Sequence, residues 1–319
     1  MRPITRVALV GAGTIGTSWA AFYALHGLAV RVYDVEAGAA AASPEAARRQ
    51  VEHLVRLGLA EASSLQALAI TAVPSLAELV EGADLVHESV RETYEVKKPL
   101  FAELDALADR HCVLASSSSG LLMTEIQAGL AHPERALIAH PFNPPHLIPL
   151  VELVGGQQTS PAVLEDMRRF YLALGKEPVV LKREVPGHLA NRMAAALWRE
   201  AIDLVASGVA SVEDVDTALR AGPGLRWAVM GPHLIYHLGG GQGGYRHFIE
   251  HIGTAFEAYW RTMPTWTAIP VAARQAIIEG VAAETHGRST HEIAQERDVR
   301  LAAVLKALQA GPPARRASG

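Results

Sequence analysis

Residues 7–34 read VALVGAGTIGTSWAAFYALHGLAVRVYD. A β-branched run from Val7 to Val10 leads into Gly11, Gly13 and Gly16, spaced G-x-G-x-x-G, and a helical pattern follows through Trp19 and Leu25. A second apolar run, Ala29 to Tyr33, closes on Asp34. Glycines between a strand and a helix permit a tight turn and let a pyrophosphate approach the positive end of that helix, which Thr14 and Ile15 open as part of the same cofactor site. Asp34 lies 18 residues past Gly16. A carboxylate there accepts hydrogen bonds from the adenosine ribose hydroxyls and repels a 2′-phosphate, so the expected cofactor is NAD rather than NADP.

Outward from this unit, short apolar runs keep alternating with helical patterns: Leu85 to His87, Val113 to Ala115, Leu137 to His140, Leu150 to Val154 and Pro178 to Leu181, with a charged helix over Ser43 to Leu59 that has Pro44 near its start. Such alternation predicts an α/β domain with a doubly wound, Rossmann-type sheet. From Pro186 the texture changes to helical periodicity, with Ser211 three residues before Asp214 as a helix-capping start. The reading is therefore a Rossmann domain over 1–185 and an all-helical domain over 186–319, with GPPARRASG as a frayed tail.

The chain has 319 residues, twice the length of a common domain of about 150 residues. Its 29 Lys and Arg against 33 Asp and Glu argue against a binder that lives on nucleic-acid phosphates. A single cysteine, Cys112, cannot form an internal disulfide, and no apolar run approaches the ~18 residues that span a bilayer. The expected location is the cytoplasm. His233/His237 and His247/His251 stand four apart, but without a Glu in the metalloprotease position no metal is expected. The GGGQGG run from Gly239 follows no strand and reads as a hinge or pocket loop.

The chemistry-bearing segment is IAHPFNPPHLIPLVELVGG. His140 ends a strand, Asn143 sits in the Pro-rich turn, and Glu152 lies twelve residues on in the apolar strand LVELV. An acid in such a strand is costly unless paired, and a histidine held by it through one ring nitrogen becomes a general base for a hydroxyl proton through the other.

Taken in order, VGAGTIG, HESVRETYEVKKPLF, ASSSSG, HPFNPP, LVELVGG and PGHLANRMAAALWREA resemble the 3-hydroxyacyl-CoA dehydrogenase superfamily over nearly the whole chain. The resemblance implies hydride transfer from a 3-hydroxyl carbon to NAD and a helical C-terminal domain that binds substrate and forms a homodimer. It assigns His140 as base, Glu152 as its orienting partner, and Ser119 and Asn191 as polar groups at the reacting oxygen. Glu92, Lys97 and Asn143 then fall on the cofactor side.

One segment departs from the acyl-CoA pattern. GPGLRWAVMGPHLIYHLGGGQGG lacks the acidic residues usual there and resembles a free-acid branch, L-carnitine dehydrogenases first and the L-gulonate 3-dehydrogenases related to lambda-crystallin next. Arg226 suits a free carboxylate through two parallel hydrogen bonds. Aromatics number 18 in the chain, and eight of them lie from Trp227 to Trp266. Trp227, Tyr236, Tyr245 and Phe248 are therefore candidates for a trimethylammonium site, since aromatic faces attract cations without hydrogen bonds. The expected reaction is oxidation of L-carnitine to 3-dehydrocarnitine. The alternatives are a short-chain 3-hydroxyacyl-CoA, L-gulonate, or a non-catalytic NAD-binding role.

Overall fold

A computed structural model describes residues 2–310; the expected frayed tail, Gly311 to Gly319, lies outside the described residues. Eight strands, β1 (Arg6–Val10), β2 (Ala29–Tyr33), β3 (Ile70–Ala72), β4 (Leu85–Glu88), β5 (Val113–Ser116), β6 (Ala136–Pro141), β7 (Leu150–Gly155) and β8 (Glu177–Val180), form one sheet in the order β3-β2-β1-β4-β5-β6-β7-β8. Every neighbouring pair is parallel except β6 and β7. Six helices belong to this sheet: α1 (Thr14–Leu25), α2 (Ala37–Arg56), α3 (Leu76–Val80), α4 (Tyr94–Leu107), α5 (Met123–Ile126) and α6 (Pro161–Ala173).

Successive side chains of a strand point to opposite faces, and a sheet covered on both faces must be apolar throughout. β1 obeys this directly: Val7 and Leu9 enter one core with Trp19, Tyr23 and Val51, while Ala8 and Val10 enter a second with Leu79, Phe101 and Leu104. The same rule sorts the strand β4 into Leu85 and His87 on one side and Val86 and Glu88 on the other.

The structure differs from the sequence pattern at two places. α2 begins at Ala37, not Ser43, and carries Pro44 inside it. The alanine-rich run from Ala39 to Ala42 propagates helix well enough to absorb one missing backbone donor. β3 leaves no mark in the sequence pattern because three residues, Ile-Thr-Ala, are too few to show a period; its pairing with β2 defines it.

The chain divides into two compact units after Arg192, inside α7 (Ala190–Ala206). The second unit has helices and no strand among the described residues. Its α8 (Val212–Ala221) is capped by Ser211, whose Oγ accepts from the Asp214 N–H at 3.0 Å. No described helix is long and apolar enough to cross a membrane.

The sheet core contains a buried imidazole with a thermodynamic consequence. His87 is fully buried, and burial, with the Lys97 cation adding to it, pulls its pKa to about 3. Below pH 6.5 the unfolded chain takes a proton that the folded one refuses, so stability falls as pH drops from about 6.5 towards 3, by roughly 4–5 kcal/mol at most. Denaturant midpoints measured across that window should fall steadily, and His87→Gln should flatten the slope; an unchanged slope would place the acid sensitivity elsewhere.

Candidate active site

The cofactor cradle is built from backbone. Gly11 has φ +99°, a left-handed conformation that glycine alone adopts readily, and a Cβ there would meet the Ser89 carbonyl oxygen at 2.6 Å. A Cβ on Gly16 would collide with the carbonyl of Gly11, whereas one on Gly13 would meet nothing within 4 Å. The loop is thus closed against its own chain at Gly11 and Gly16 and open at Gly13, where α1 starts with no side-chain cap on its amides. Those amides and the helix dipole favour a pyrophosphate. Half-buried Asp34, at the end of β2, accepts from Ala12 N–H at 2.7 Å and Glu36 N–H at 2.9 Å. A carboxylate has about four acceptor positions, so capacity for ribose hydroxyls remains. The residues present fit a dinucleotide.

A cleft of about 450 Å³ opens beside this loop. Ile15, Glu92, Lys97 and Ser119 line it, together with His140, Asn143 and Asn191, so one cleft brings together seven residues scattered through the sequence. The antiparallel register of β6 and β7 sets His140 directly opposite Glu152. Directly opposed side chains on one face have Cβ atoms about 5 Å apart, and here the pair closes to a His140 Nδ1 to Glu152 Oε2 hydrogen bond of 2.8 Å. Glu152 is 1% exposed, and its other oxygen accepts from the Leu189 and Ala190 N–H groups at 2.8 and 3.0 Å. Burial acts to raise this carboxyl's pKa, but the hydrogen bonds from His140 and the two amides outweigh it and hold it below the ordinary range. An ionised carboxylate only accepts, so His140 Nδ1 carries a proton and Nε2 is left as an acceptor for the cleft.

Glu92 organises the serine loop. Its Oε1 accepts from Ser118 Oγ at 2.6 Å and from the Ser119 and Gly120 N–H groups at 2.7 and 3.0 Å. Asn191 Nδ2 donates to the Ser119 carbonyl at 3.2 Å. Among the described residues the Ser119 hydroxyl reaches only Glu92, at 3.4 Å, and Ser119 is exposed.

Sequence reasoning overlooked two groups. Glu88, fully buried at the end of β4, accepts from Lys97 Nζ at 2.6 and 2.8 Å and from Ser116 Oγ at 2.6 Å. The signal was available: an acid closing the apolar strand LVHE is the same anomaly as Glu152 in LVELV. The second is a buried polar chain running from Ser89 Oγ to Ser117 Oγ (2.8 Å), His87 Nε2 (3.0 Å), Tyr23 OH through the other His87 nitrogen (2.8 Å) and Tyr171 OH (2.9 Å). Ser89 and Ser117 line the cleft, so this chain fixes two hydroxyls there. Its members are spread from α1 to α6, and no spacing in the sequence links them.

The proposed substrate residues belong to the helical unit. Arg226, in the short helix Pro223–Trp227, is exposed and has no ion-pair partner among the described residues. Trp227 is 37% exposed and stacks on no other ring among the described residues. Tyr236 and Phe248 stack on each other with centroids 4.8 Å apart, and Phe256 meets Tyr236 edge-on at 5.4 Å. Phe248 is buried, and Tyr245 OH pairs with His233 Nδ1 at 3.0 Å. The His237 Nδ1 accepts from the Tyr245 N–H at 3.1 Å. In the GGGQGG run a short 3-10 turn, Gly241–Gly243, opens on Gly241 and is followed by Gly244, both with positive φ.

The family model described as 3-hydroxyacyl-CoA dehydrogenase, NAD binding domain, matches residues 6–185, and that described as 3-hydroxyacyl-CoA dehydrogenase, C-terminal domain, matches residues 187–277. An L-carnitine dehydrogenase of Streptomyces coelicolor is 43% identical over 311 residues, covering 95% of each chain. That of Streptomyces griseus is 42% identical over 304 residues, covering 95% of this chain and 90% of its own. Among solved structures, the NAD⁺-dependent 5-formyl-3-hydroxy-2-methylpyridine 4-carboxylic acid 5-dehydrogenase superposes with a TM-score of 0.81 at 30% identity, covering 97% of this chain and 100% of its own.

Proposed function

The chain belongs to the 3-hydroxyacyl-CoA dehydrogenase family as an NAD-dependent oxidoreductase, and from that premise we propose that it oxidises the 3-hydroxyl of L-carnitine to 3-dehydrocarnitine with His140 as general base. The observation that carries the substrate is the match at 42–43% identity to two L-carnitine dehydrogenases along 95% of the chain. An exposed Arg226 with no ion-pair partner among the described residues, next to a Trp227 that is 37% exposed, agrees with it: a guanidinium suits a free carboxylate, and an indole face suits a quaternary ammonium group.

The chemistry that bound NAD supplies is acceptance of a hydride from the carbinol carbon. The chain does the rest. Backbone at Gly11, Gly13 and Gly16 and the carboxylate of Asp34 hold the dinucleotide, while Glu92, Lys97 and Asn143 border its reactive end. His140 Nε2 takes the hydroxyl proton as the C–O bond becomes a carbonyl. Glu152 keeps the Nδ1 proton in place and stabilises the imidazolium that forms. The Asn191 amide and Ser119 hydroxyl turn from their present partners to donate to the reacting oxygen, where charge develops. Exposed apolar side chains of the helical unit, Leu225, Val229 and Trp260 among them, support a homodimer formed through that unit.

NADH production against L-carnitine, L-gulonate, 3-hydroxybutyrate and 3-hydroxybutyryl-CoA tests this reading. Carnitine should give the highest kcat/KM, and turnover of the thioester alone would overturn the role of Arg226. With carnitine as substrate, Trp227→Ala should raise KM several-fold to about tenfold, on the scale of a cation–π contact, while leaving KM for 3-hydroxybutyrate nearly unchanged. Equal effects on both would mean that the ring only packs.

A further inference from the structure

His188 is used by none of the steps above, yet it is bound into the site from three sides. It is 1% exposed, and its φ of 51° makes it one of two non-glycine residues with a left-handed backbone among those described. Its ring centroid is 5.2 Å from that of His140, with the planes tilted by 52°. Its Nε2 lies 3.0 Å from the carbonyl oxygen of Ser118, in the loop held by Glu92. The two residues that follow it give the N–H groups that clamp Glu152.

Backbone strain at a bulky residue survives only where the surroundings over-determine it. Here the left-handed bend turns the chain so that Leu189 and Ala190 aim their amides at Glu152 Oε1. A glycine or asparagine would make that bend more easily, so the imidazole must be there for its ring. A carbonyl only accepts, which puts the ring proton on Nε2 and leaves Nδ1 bare; that atom is buried and has no partner among the described residues. A proton placed on Nδ1 would be a buried donor with no acceptor, beside the base that must itself become cationic.

We propose that His188 is a positioning residue: a permanently neutral imidazole, wedged between the Ser118 carbonyl and the His140 ring, that fixes the base and its carboxylate and leaves the transferred proton on His140 alone. This rests on the assignment of His140 as base. The groups facing His188 are His140 from β6, Glu152 from β7 and Glu92 from the segment after β4. Burial lowers its pKa first, and His140 adds to that, against the opposing pull of the Ser118 carbonyl and the two carboxylates.

The test uses the full chain and two variants. His188→Phe keeps a ring but loses the Nε2 donor, and should lower kcat at least tenfold, towards the ~10²-fold loss that a misplaced reacting group brings, with the Kd for NAD within about twofold of the parent. His188→Asn tolerates the left-handed bend that aims the Leu189 and Ala190 amides at Glu152, so it should retain the folded state and regain part of kcat, although its amide is too short to replace Nε2 at the Ser118 carbonyl. Independently of turnover, ¹⁵N ring signals that disappear in His188→Asn should report a neutral ring protonated on Nε2 from about pH 5.5 to 8, where an ordinary imidazole titrates. A ring that titrates in that window overturns the proposal, as does full kcat in His188→Phe. If a His140 variant also keeps full turnover, the assignment of the base falls with it. If the His140 variant is dead and His188→Phe is not, only the role of His188 falls.

Discussion

His140→Asn should lower kcat for the hydroxy acid by about 10²–10⁴-fold, the range that a positioned general base contributes, while the Kd for NAD stays within a factor of two. Asparagine is the informative replacement. Its amide nitrogen stands where Nδ1 stood and can still donate to Glu152 Oε2, so the 1%-exposed carboxylate keeps a partner on the side where His140 stood, and the two amides of Leu189 and Ala190 remain on the other. Alanine would instead leave part of a buried carboxylate unsatisfied and mix a folding defect into the rate. Turnover within tenfold of the parent at pH 8 would show that another group removes the proton.

What can be read from sequence is what lies close together in it or repeats with a short period. The G-x-G-x-x-G turn and Asp34 belong to a single β-α-β unit, and the structure joins them through one hydrogen bond, Ala12 N–H to Asp34. His140 and Glu152 are neighbours across an antiparallel pair, so twelve residues of chain bring them together. The groups that escape such reading depend on parallel crossovers, which pair strands far apart in sequence. Glu88 meets Ser116 because β4 and β5 lie side by side in register, 28 residues apart, with a whole helix between them. Tyr23 meets Tyr171 across 148 residues. His188 escapes for a different reason: its importance lies in a backbone angle and a bare ring nitrogen, and neither leaves a mark on residue identity. The start of α2 departs from the pattern because the alanine run ahead of Pro44 outweighs the proline as a helix signal.

The second large effect expected is on folding. Lys97→Met should destabilise the protein by about 3–5 kcal/mol, the cost of stranding one member of a buried ion pair. Lys97 and Glu88 are 1% and 0% exposed, with Nζ at 2.6 and 2.8 Å from the two carboxylate oxygens. Methionine fills the lysine's path with similar volume, so the loss comes from the charge left on Glu88 rather than from a cavity. Ser116 Oγ and the Val90 N–H, at 2.6 and 2.5 Å, still reach that carboxylate, which puts the expected cost nearer the lower end of the range. Glu92 also loses a cation 3.4 Å away, but with 39% of its side chain exposed it can turn to water. The double variant Glu88→Gln/Lys97→Met separates charge from shape: both buried charges are gone, glutamine's carbonyl can still accept from Ser116, and most of the stability should return. Urea midpoints of the parent, both single variants and the double variant close the cycle. If the double variant is no more stable than Lys97→Met alone, the uncompensated carboxylate is not what the loss measures, and the lysine's contribution must lie in its packing between β4 and α4.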